Sequence, residues 1–364
     1  MRYSEIKTLT EAAKVGREYQ HLEDLVFVDG AAGAVEAADV LDGLGTDASD
    51  VAIKWDGNPT IYYGREPDGT FVLVGKNGWG RNMSTSAEDL ANFIKGSGKG
   101  EDWREKFGND MAQLFDIVQA SVPQNFEGYV YGDLLYHPGK PFAKGKNSIQ
   151  FTPNKVTYTV DTNSEIGKRI ANSSVGITVH TKFDSFGSKT GTPIEDVADL
   201  NTKQVLVLGQ TYVTHQPNVD TSETNSIRQF AKANASSINS FLEPVQGLGD
   251  LKNIIYTFVN TMSKAMQLDN ISVDGFFNWL KTSSVSQPKQ QKIYQMHQSN
   301  KTALLAIFKL VNRIMSAKNH IIDQLDQAPA DIKASTGADS GGEGYVAQNS
   351  KVKLVPRHRW TPNL

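Results

Sequence analysis

Residues 51–61 have the sequence Val51-Ala52-Ile53-Lys54-Trp55-Asp56-Gly57-Asn58-Pro59-Thr60-Ile61. An apolar run leads into Lys-x-Asp-Gly and a β-rich run follows it, which indicates a strand, a turn and a second strand. Lys54 therefore lies at a strand end beside a carboxylate and a glycine. Burial, neighbouring cations or metal ions can keep a lysine amine neutral, and a neutral amine is a nucleophile. The stretch suggests covalent chemistry at Lys54.

The same motif has a plain structural alternative. At average residue frequencies, a chain of this length contains Lys-x-Asp-Gly by chance roughly one time in ten. A surface turn after a strand is the better explanation of these four residues taken alone. The covalent hypothesis therefore depends on residues farther along the chain.

The composition is that of a soluble globular chain long enough for two domains. It has 364 residues and a formal net charge of -3, so no overall basic field indicates nucleic acid. The chain has no cysteine, which excludes disulfides and cysteine-ligated zinc and is typical of a reducing cytoplasm. The start of the chain, Met1-Arg2-Tyr3-Ser4-Glu5, has no apolar signal core, and no run approaches a membrane span. We expect a cytoplasmic location.

Hydrophobic periodicity divides the chain into a β-rich part and a helical part. After residue 51 the alternation has a period of two, and Glu66-Pro67-Asp68-Gly69 is a hairpin signal between two such runs. Residues 221–327 contain no convincing strand, and their apolar side chains recur at helical spacing. Strand patterns return at 344–347 and 351–355, after a glycine-rich linker at 335–342.

These patterns predict the α+β class, with mainly antiparallel sheets and an inserted all-α domain. We expect residues 1–215 to form the first part of the β-rich domain and residues 216–334 to form the helical insertion. Residues 335–364 should then supply strands that complete the sheet of the first domain.

Four further motifs follow Lys54 in chain order, and the ordered set is far more specific than any single member. They are Lys76-Asn77-Gly78, Tyr131-Gly132-Asp133-Leu134, Glu343-Gly344-Tyr345-Val346 and Lys351-Val352-Lys353-Leu354. This order resembles the covalent nucleotidyltransferase superfamily, which contains ATP-dependent DNA and RNA ligases and mRNA capping enzymes. In this resemblance the stretch at Lys54 is motif I, and the four others match motifs Ia, III, IV and V.

Longer segments are similar to an uncharacterised group of tailed-bacteriophage proteins. The similarity covers roughly residues 20–185 and 340–360 and leaves out the helical insertion. If the protein is encoded by a phage, its expected location is the host cytoplasm. The similar segments are 53–59, 132–136, 151–158 and 176–181.

The resemblance implies a ligase-type adenylation fold and a covalent mechanism. Lys54 would attack the α-phosphate of ATP, release pyrophosphate and carry AMP as a phosphoramidate. Mg²⁺ would neutralise the phosphate charge. AMP would then pass to the 5′-phosphate end of a nucleic acid, either RNA or nicked or single-stranded DNA, and a 3′-hydroxyl would displace it.

The resemblance also assigns roles to individual residues. Asp56, Lys351 and Lys353 would join Lys54 in catalysis, and Glu343 and Asp133 would hold the metal. Tyr158 would stack on adenine, with Phe183 as a second candidate. The remaining nucleotide contacts would come from Ile53, Trp55, Gly57, Lys76, Asn77 and Asp133.

Each of these residues also has a structural explanation. Lys76, Lys351 and Lys353, taken singly, are better explained as solvated strand lysines. Tyr158 is more often a core residue than a base platform, and His180 is interpreted as a hydrogen-bonded structural histidine. Asp133 is harder to explain in this way, because an unpaired carboxylate in an aromatic strand is costly.

The sequence departs from the superfamily pattern in three ways. Pro59 stands where DNA-joining ligases usually have arginine, and Asp133 stands where motif III usually has glutamate. Only eleven residues follow Lys353, so we expect no oligonucleotide-binding barrel after motif V. These departures favour an RNA ligase-like enzyme over a conventional DNA ligase. They leave open a non-catalytic phage protein that binds nucleotide or nucleic acid, and nucleotidyl transfer to a protein or a small molecule.

The predicted helical insertion contains a basic stretch. Residues 281–318 include seven Lys or Arg residues and no Asp or Glu. Lys309 and Arg313 are four residues apart and share a helical face. We expect this face to bind a nucleic-acid backbone; a solvated bundle face explains it equally well.

Overall fold

The computed structural model describes residues 19–96, 102–194 and 196–359, and these fall into two compact units. The helical unit contains the chain up to Ala52, Tyr212–Ala328 and the chain from Glu343. The β unit contains Ile53–Thr211 and Pro329–Gly342. Residues 1–18 and 360–364 of the predicted domains lie outside the described residues.

The described strands are mostly short. In chain order they are β1 (Gln20–His21), β2 (Val51–Ile53), β3 (Thr60–Arg65), β4 (Phe71–Gly75), β5 (Gly128–Tyr136), β6 (Ala143–Lys144), β7 (Ser148–Phe151), β8 (Val156–Asp161), β9 (Val175–Phe183), β10 (Thr192–Pro193), β11 (Val205–Leu208), β12 (Ile332–Thr336), β13 (Asp339–Ser340), β14 (Tyr345–Ala347) and β15 (Val352–Leu354).

The described helices include one long central helix at the end of the series. They are α1 (Leu25–Val28), α2 (Gly30–Thr46), α3 (Ala87–Gly96), α4 (Asp102–Gln119), α5 (Glu165–Ala171), α6 (Thr221–Ala233), α7 (Ala235–Leu242), α8 (Leu251–Lys264), α9 (Val273–Thr282), α10 (Gln287–Ser299) and α11 (Lys301–Gln327). No helix in the described part of the chain combines the length and the apolar character needed to cross a membrane.

The β unit contains two sheets, which are almost entirely antiparallel, so the predicted α+β class is confirmed. The larger sheet has the order β10-β9-β5-β3-β4, and β11 pairs in parallel with β9. Alternate residues of its strands, such as Ile61, Tyr63 and Val130, are buried on one face in a core with Leu114 and Phe115 of α4. The opposite face carries the residues between them, because successive strand side chains point to opposite sides.

The smaller sheet corrects the interpretation of residues 335–342 as a linker. Its order is β13-β12-β8-β7-β6, and β12 pairs with β8 from Ile332 opposite Val160 to Thr336 opposite Val156. Gly337, with φ of 61°, makes the turn into β13. Only Thr336 of β12 is buried, so the strand has too weak an apolar alternation to be recognised in the sequence.

The helical unit confirms the prediction of helices across residues 221–327 but is larger than the predicted insertion. Helices α1 and α2 pack with it, and the Arg228 side chain of α6 forms an ion pair with Asp39 of α2 at 2.8 Å. Alanines on the buried side of α2, including Ala34, Ala37 and Ala38, allow a close helix approach. The N-terminal segment therefore groups with the helices, whereas the sequence assigns it to the β-rich domain.

The C-terminal strands also group with the helical unit. β14 and β15 correspond to the strands predicted at 344–347 and 351–355 and form a hairpin, with Tyr345 opposite Leu354 and Ala347 opposite Val352. β15 pairs in parallel with β1, where Val352 lies opposite Gln20. The hairpin therefore extends a sheet of this unit rather than the β unit's larger sheet, which the sequence-based division expects it to complete.

Four buried ionisable side chains, those of Glu23, Asp24, Lys318 and Arg357, lie inside the helical unit. Lys318 Nζ donates hydrogen bonds to both Glu23 carboxylate oxygens at 2.9 and 2.8 Å and to the Val355 carbonyl at 2.8 Å. Arg357 pairs with Glu23 at 2.9 Å and with Asp24. Burial alone would raise the pKa of Glu23, but the charges of Lys318 and Arg357 outweigh it and lower that pKa. Lys318 is thus an internal counter-ion and no part of a solvated basic face.

Candidate functional site

The loop from Lys54 to Pro59 connects β2 to β3 and is fastened to β5. The Asn58 amide donates to the Leu134 carbonyl at 2.9 Å, and the Leu134 amide donates to the Pro59 carbonyl at 3.0 Å. Trp55 is buried, and its Nε1 donates to Thr211 Oγ1 at 3.3 Å. These bonds hold the backbone that carries the half-buried Lys54.

Asp56 is a structural acceptor. One carboxylate oxygen accepts a hydrogen bond from Asn154 Nδ2 at 2.9 Å, and the other accepts from the amides of Lys155 and Val156 at 2.7 and 3.0 Å. Its side chain is buried. Because both carboxylate oxygens already accept hydrogen bonds, the structure does not support the predicted catalytic role of Asp56. We infer instead that Asp56 positions the Lys54 loop against the turn between β7 and β8.

The structure contradicts the prediction that Tyr158 stacks on adenine. The side chain is 0% exposed and packs against both Trp55 and Phe151, with ring centroids 4.7 and 5.5 Å away. Its hydroxyl accepts a hydrogen bond from the Asp56 amide at 2.6 Å. Tyr158 faces inward because it alternates with polar residues along β8, and no ring surface remains for a base.

The predicted motifs I, Ia and III meet at one end of three adjacent strands. Thr60 at the start of β3 lies opposite Asp133 of β5, and Ile61 lies opposite Gly75, the last residue of β4. Lys76 and Asn77 follow Gly75 directly and are exposed. Strand pairing therefore brings Lys76 and Asp133 to either side of the strand that the Lys54 loop enters.

Gly57 gives the Lys54 loop its close approach to Asp133. A Cβ built at Gly57 would lie 2.4 Å from Asp133 Cβ and 3.2 Å from the Leu134 carbonyl oxygen. Any side chain at this position would push the loop away from β5. The glycine of Lys-x-Asp-Gly is therefore required by packing within this unit.

A Gly57→Ala variant is expected to lose about 1–3 kcal/mol of unfolding free energy through overpacking, measured by urea denaturation. The matched control is Gly43→Ala in α2, where a new Cβ meets nothing within 4 Å. That change should be neutral or stabilise by about 0.5–1 kcal/mol, since alanine favours helix. Wild-type stability in Gly57→Ala would show that the loop does not pack on Asp133.

Asp133 is held by two polar neighbours on the face opposite the core. Thr60 Oγ1 donates to Asp133 Oδ1 at 2.6 Å, and His180 Nε2 lies 3.2 Å from Oδ2. Burial and, second, the Asp133 charge raise the pKa of Tyr62 and of Tyr131, so both phenols are neutral at pH 7. His180 therefore belongs to the candidate site, whereas the sequence analysis interpreted it as a structural histidine. The sequence does carry a signal for its orientation, because Ile177 and Val179 are buried and His180 falls on the alternate, outward-facing side of β9.

An aromatic cluster lies on the same sheet face beside Asp133. Tyr62 and Trp79 stack in parallel with ring centroids 4.3 Å apart, and Phe183 lies 5.3 Å from Trp79. Tyr62 is opposite Tyr131 in the strand register, two pairs along from Thr60 and Asp133 and so on the same face. These rings are only partly buried, so the face offers an aromatic surface next to the carboxylate.

The other predicted site residues belong to the helical unit. Lys351 is exposed in the turn between β14 and β15, with φ of 52°, and Lys353 lies on β15 opposite Val346. Glu343 begins the C-terminal segment of this unit. The structure therefore brings Lys54, Lys76 and Asp133 together in one unit and assigns Glu343, Lys351 and Lys353 to the other.

The described residues contain no group of three His, Cys, Asp or Glu side chains that could hold a metal ion. Mg²⁺ at nucleotide sites commonly uses one or two carboxylates together with substrate phosphates. Asp133 fits that use as a single carboxylate ligand. The second predicted ligand, Glu343, belongs to the helical unit.

The predicted nucleic-acid face on α11 is largely engaged within the helical unit. Arg313 Nε and Nη2 donate to the two Glu223 carboxylate oxygens at 2.7 and 2.9 Å. The Lys309 ammonium lies 4.7 Å from the centroid of the Phe230 ring. The Arg313 charge is therefore balanced by a bidentate partner, which makes it a poor contact for phosphate.

Comparison with known proteins gives one family. The chain matches the Family of unknown function (DUF6267) over residues 18–363 and belongs to it. No curated protein and no solved structure matches the chain.

Proposed function

We propose that this family member is a lysine-dependent nucleotidyltransferase of the ligase type, built on an adenylation-domain-like β unit. The observation that carries the proposal is the convergence of the Lys54 loop, Lys76 and Asp133 at one end of β4, β3 and β5. Three motifs that are far apart in sequence meet there through strand register. If Lys54 were only part of a surface turn, there would be no reason for Lys76 and Asp133 to lie on or directly after the strands next to it.

In the proposed first step, Lys54 Nζ forms a bond to the α-phosphorus of ATP. The bond from that phosphorus to the bridging oxygen breaks, pyrophosphate leaves, and the amine proton passes to solvent. In this proposal Lys76 contacts a phosphate, and Asp133, which Thr60 and His180 contact, accepts a hydrogen bond from ribose. A bound Mg²⁺ would supply charge neutralisation for the phosphates.

The partly exposed aromatic cluster replaces Tyr158 in the proposed recognition of adenine. Phe183, Trp79 and Tyr62 lie on the same face as Asp133, and base–aromatic stacking tolerates a partly buried ring. The proposed acceptor is the 5′-phosphate end of a nucleic acid, RNA or single-stranded or nicked DNA. A 3′-hydroxyl would then displace AMP and form the new phosphodiester bond.

The test is intact-protein mass spectrometry after incubation with ATP and Mg²⁺. The wild-type chain, first treated with pyrophosphate to remove any bound AMP, is expected to gain the mass of one AMP. Lys54→Ala should gain none, whereas Lys146→Ala, at an exposed lysine of the same unit, should behave as wild type. The absence of an adduct with ATP, GTP and Mn²⁺ would overturn the transfer reaction.

A second candidate is a protein that binds nucleotide without transferring it. The observation in its favour is that Glu343, Lys351 and Lys353 belong to a different unit from Lys54. Equilibrium binding of ATP without any covalent adduct, with affinity unchanged in Lys54→Ala, would support this candidate.

A further inference from the structure

Helices α9 and α10 expose aromatic side chains on the surface of the helical unit. The Phe277 ring of α9 lies 5.7 Å from that of Tyr294 and 5.2 Å from that of His297, both on α10. Tyr294 is 54% exposed. We call Phe277, Lys281, Tyr294, His297 and Lys301 the α10 face. Exposed aromatic rings that touch one another mark binding surfaces more often than isolated ones.

Two cations accompany these rings, one on α9 and one at the start of α11. Lys281 follows Phe277 by four residues on α9 and so shares its helical face. Lys301 is the first residue of α11, and its charge acts on the His297 ring at the end of α10. Neither lysine has an ion-pair partner among the residues that the structure describes. By contrast, Lys289 pairs with Asp250 at 2.6 Å and Lys292 donates to the Gln246 carbonyl. Two positive charges with no carboxylate partner among the described residues therefore accompany the aromatic patch.

His297 adds an aromatic face rather than a charge. Burial and, second, the neighbouring Lys301 lower its pKa, so the imidazole is neutral at pH 7. The surrounding α10 surface is uncharged but polar, with exposed Gln291, Gln295 and Gln298. The acid nearest in sequence, Asp274, is in the first turn of α9, and none occurs from 281 to 318.

We propose that the α10 face binds single-stranded nucleic acid, with unpaired bases stacked on Tyr294 and Phe277 and phosphates beside Lys281 and Lys301. Stacking needs a free base face, which a duplex does not offer, and the accompanying cations can neutralise the phosphates of a flexible strand. Glutamine amides suit phosphate and sugar oxygens. That the bound nucleic acid is the acceptor of AMP rests on the proposed function. That the α10 face binds single-stranded nucleic acid does not.

The test is fluorescence anisotropy with labelled 20-nucleotide oligo(U) RNA and oligo(dT), without ATP, at two salt concentrations. Tyr294→Ala is expected to weaken binding about tenfold, and Tyr294→Phe should keep wild-type affinity because the ring remains. Lys281→Glu with Lys301→Glu should weaken binding and flatten its salt dependence. The log–log slope should change by roughly 0.7 for each phosphate that the variant no longer neutralises.

Two matched controls separate this surface from general effects. Leu305→Ala, at a 60% exposed apolar residue of the same unit, and Lys232→Glu on α6 should leave affinity unchanged. Circular dichroism checks that each variant is folded. Equal affinity of wild type and Tyr294→Ala, no binding of either oligonucleotide, or preferential binding of duplex or of polyglutamate would each overturn the proposal. Binding with no Lys54 adduct would overturn only the proposed transfer reaction.

Discussion

Replacing Lys318 by methionine is expected to lower the free energy of unfolding by about 3–5 kcal/mol. Methionine preserves most of the side-chain volume but removes the charge that sits 2.8 and 2.9 Å from the two Glu23 oxygens. Glu23 would remain fully buried with only Arg357 to balance it, and the Val355 carbonyl would lose its donor. The cost is that of a carboxylate left partly unpaired away from water.

Urea denaturation followed by circular dichroism measures this loss. Lys309→Met, an exposed position on the same helix, is the matched control and should change stability by less than about 1 kcal/mol. Adding Glu23→Gln to Lys318→Met should recover part of the loss, since a neutral amide costs less to bury than an unpaired charge. Equal stability of Lys318→Met and Lys309→Met would show that the cluster is hydrated.

Asp56→Ala is expected to cost about 3 kcal/mol or more in the β unit. The carboxylate accepts hydrogen bonds from Asn154 and from the amides of Lys155 and Val156, and its removal leaves two partly buried donors and one buried donor without this acceptor. Each unsatisfied donor costs about 1–3 kcal/mol. The Lys54 loop would lose its attachment to the turn between β7 and β8, so lysine adduct formation should fall as well.

Thermal unfolding of Asp56→Ala and Asp68→Ala compares a buried with an exposed aspartate. Asp68 lies in the turn between β3 and β4 and accepts one hydrogen bond, from the Thr70 amide at 2.9 Å. Its replacement should lower the melting temperature much less. Similar melting temperatures for the two variants, with adduct formation intact in Asp56→Ala, would contradict the positioning role of Asp56.

Local patterns predicted most of the elements but only part of their grouping. The alternation in residues 60–74 and 128–136 predicts β3, β4 and β5, and the helical spacing across 221–327 predicts the helices of that region. The two strands predicted at 344–347 and 351–355 are also confirmed. The partner of their hairpin was not predictable, because the pairing of β15 with β1 joins residues more than 300 positions apart and leaves no local signal.

The candidate site shows the same limit. Spacing and resemblance identify Lys54, Lys76 and Asp133, and strand register brings them together. Neither spacing nor resemblance shows that Asp56 is satisfied by a distant turn, that Tyr158 is buried against two rings, or that His180 faces Asp133. Likewise, Lys318 and Arg313 look solvated in a sequence without nearby acids, because their partners Glu23 and Glu223 are 295 and 90 positions away.

The buried charge cluster fixes an order of events during synthesis of the chain. Asp24 and Arg357 are separated by 333 positions, so Asp24 and Glu23 leave the ribosome long before their guanidinium partner exists. Both segments of the β unit, Ile53–Thr211 and Pro329–Gly342, are translated in that interval, so this unit can fold as it emerges. Lys318 can balance Glu23 earlier, but Asp24 gains its ion-pair partner only once Arg357 has been synthesised. Completion of the cluster is therefore a late, long-range step that a translation stall before residue 357 would prevent.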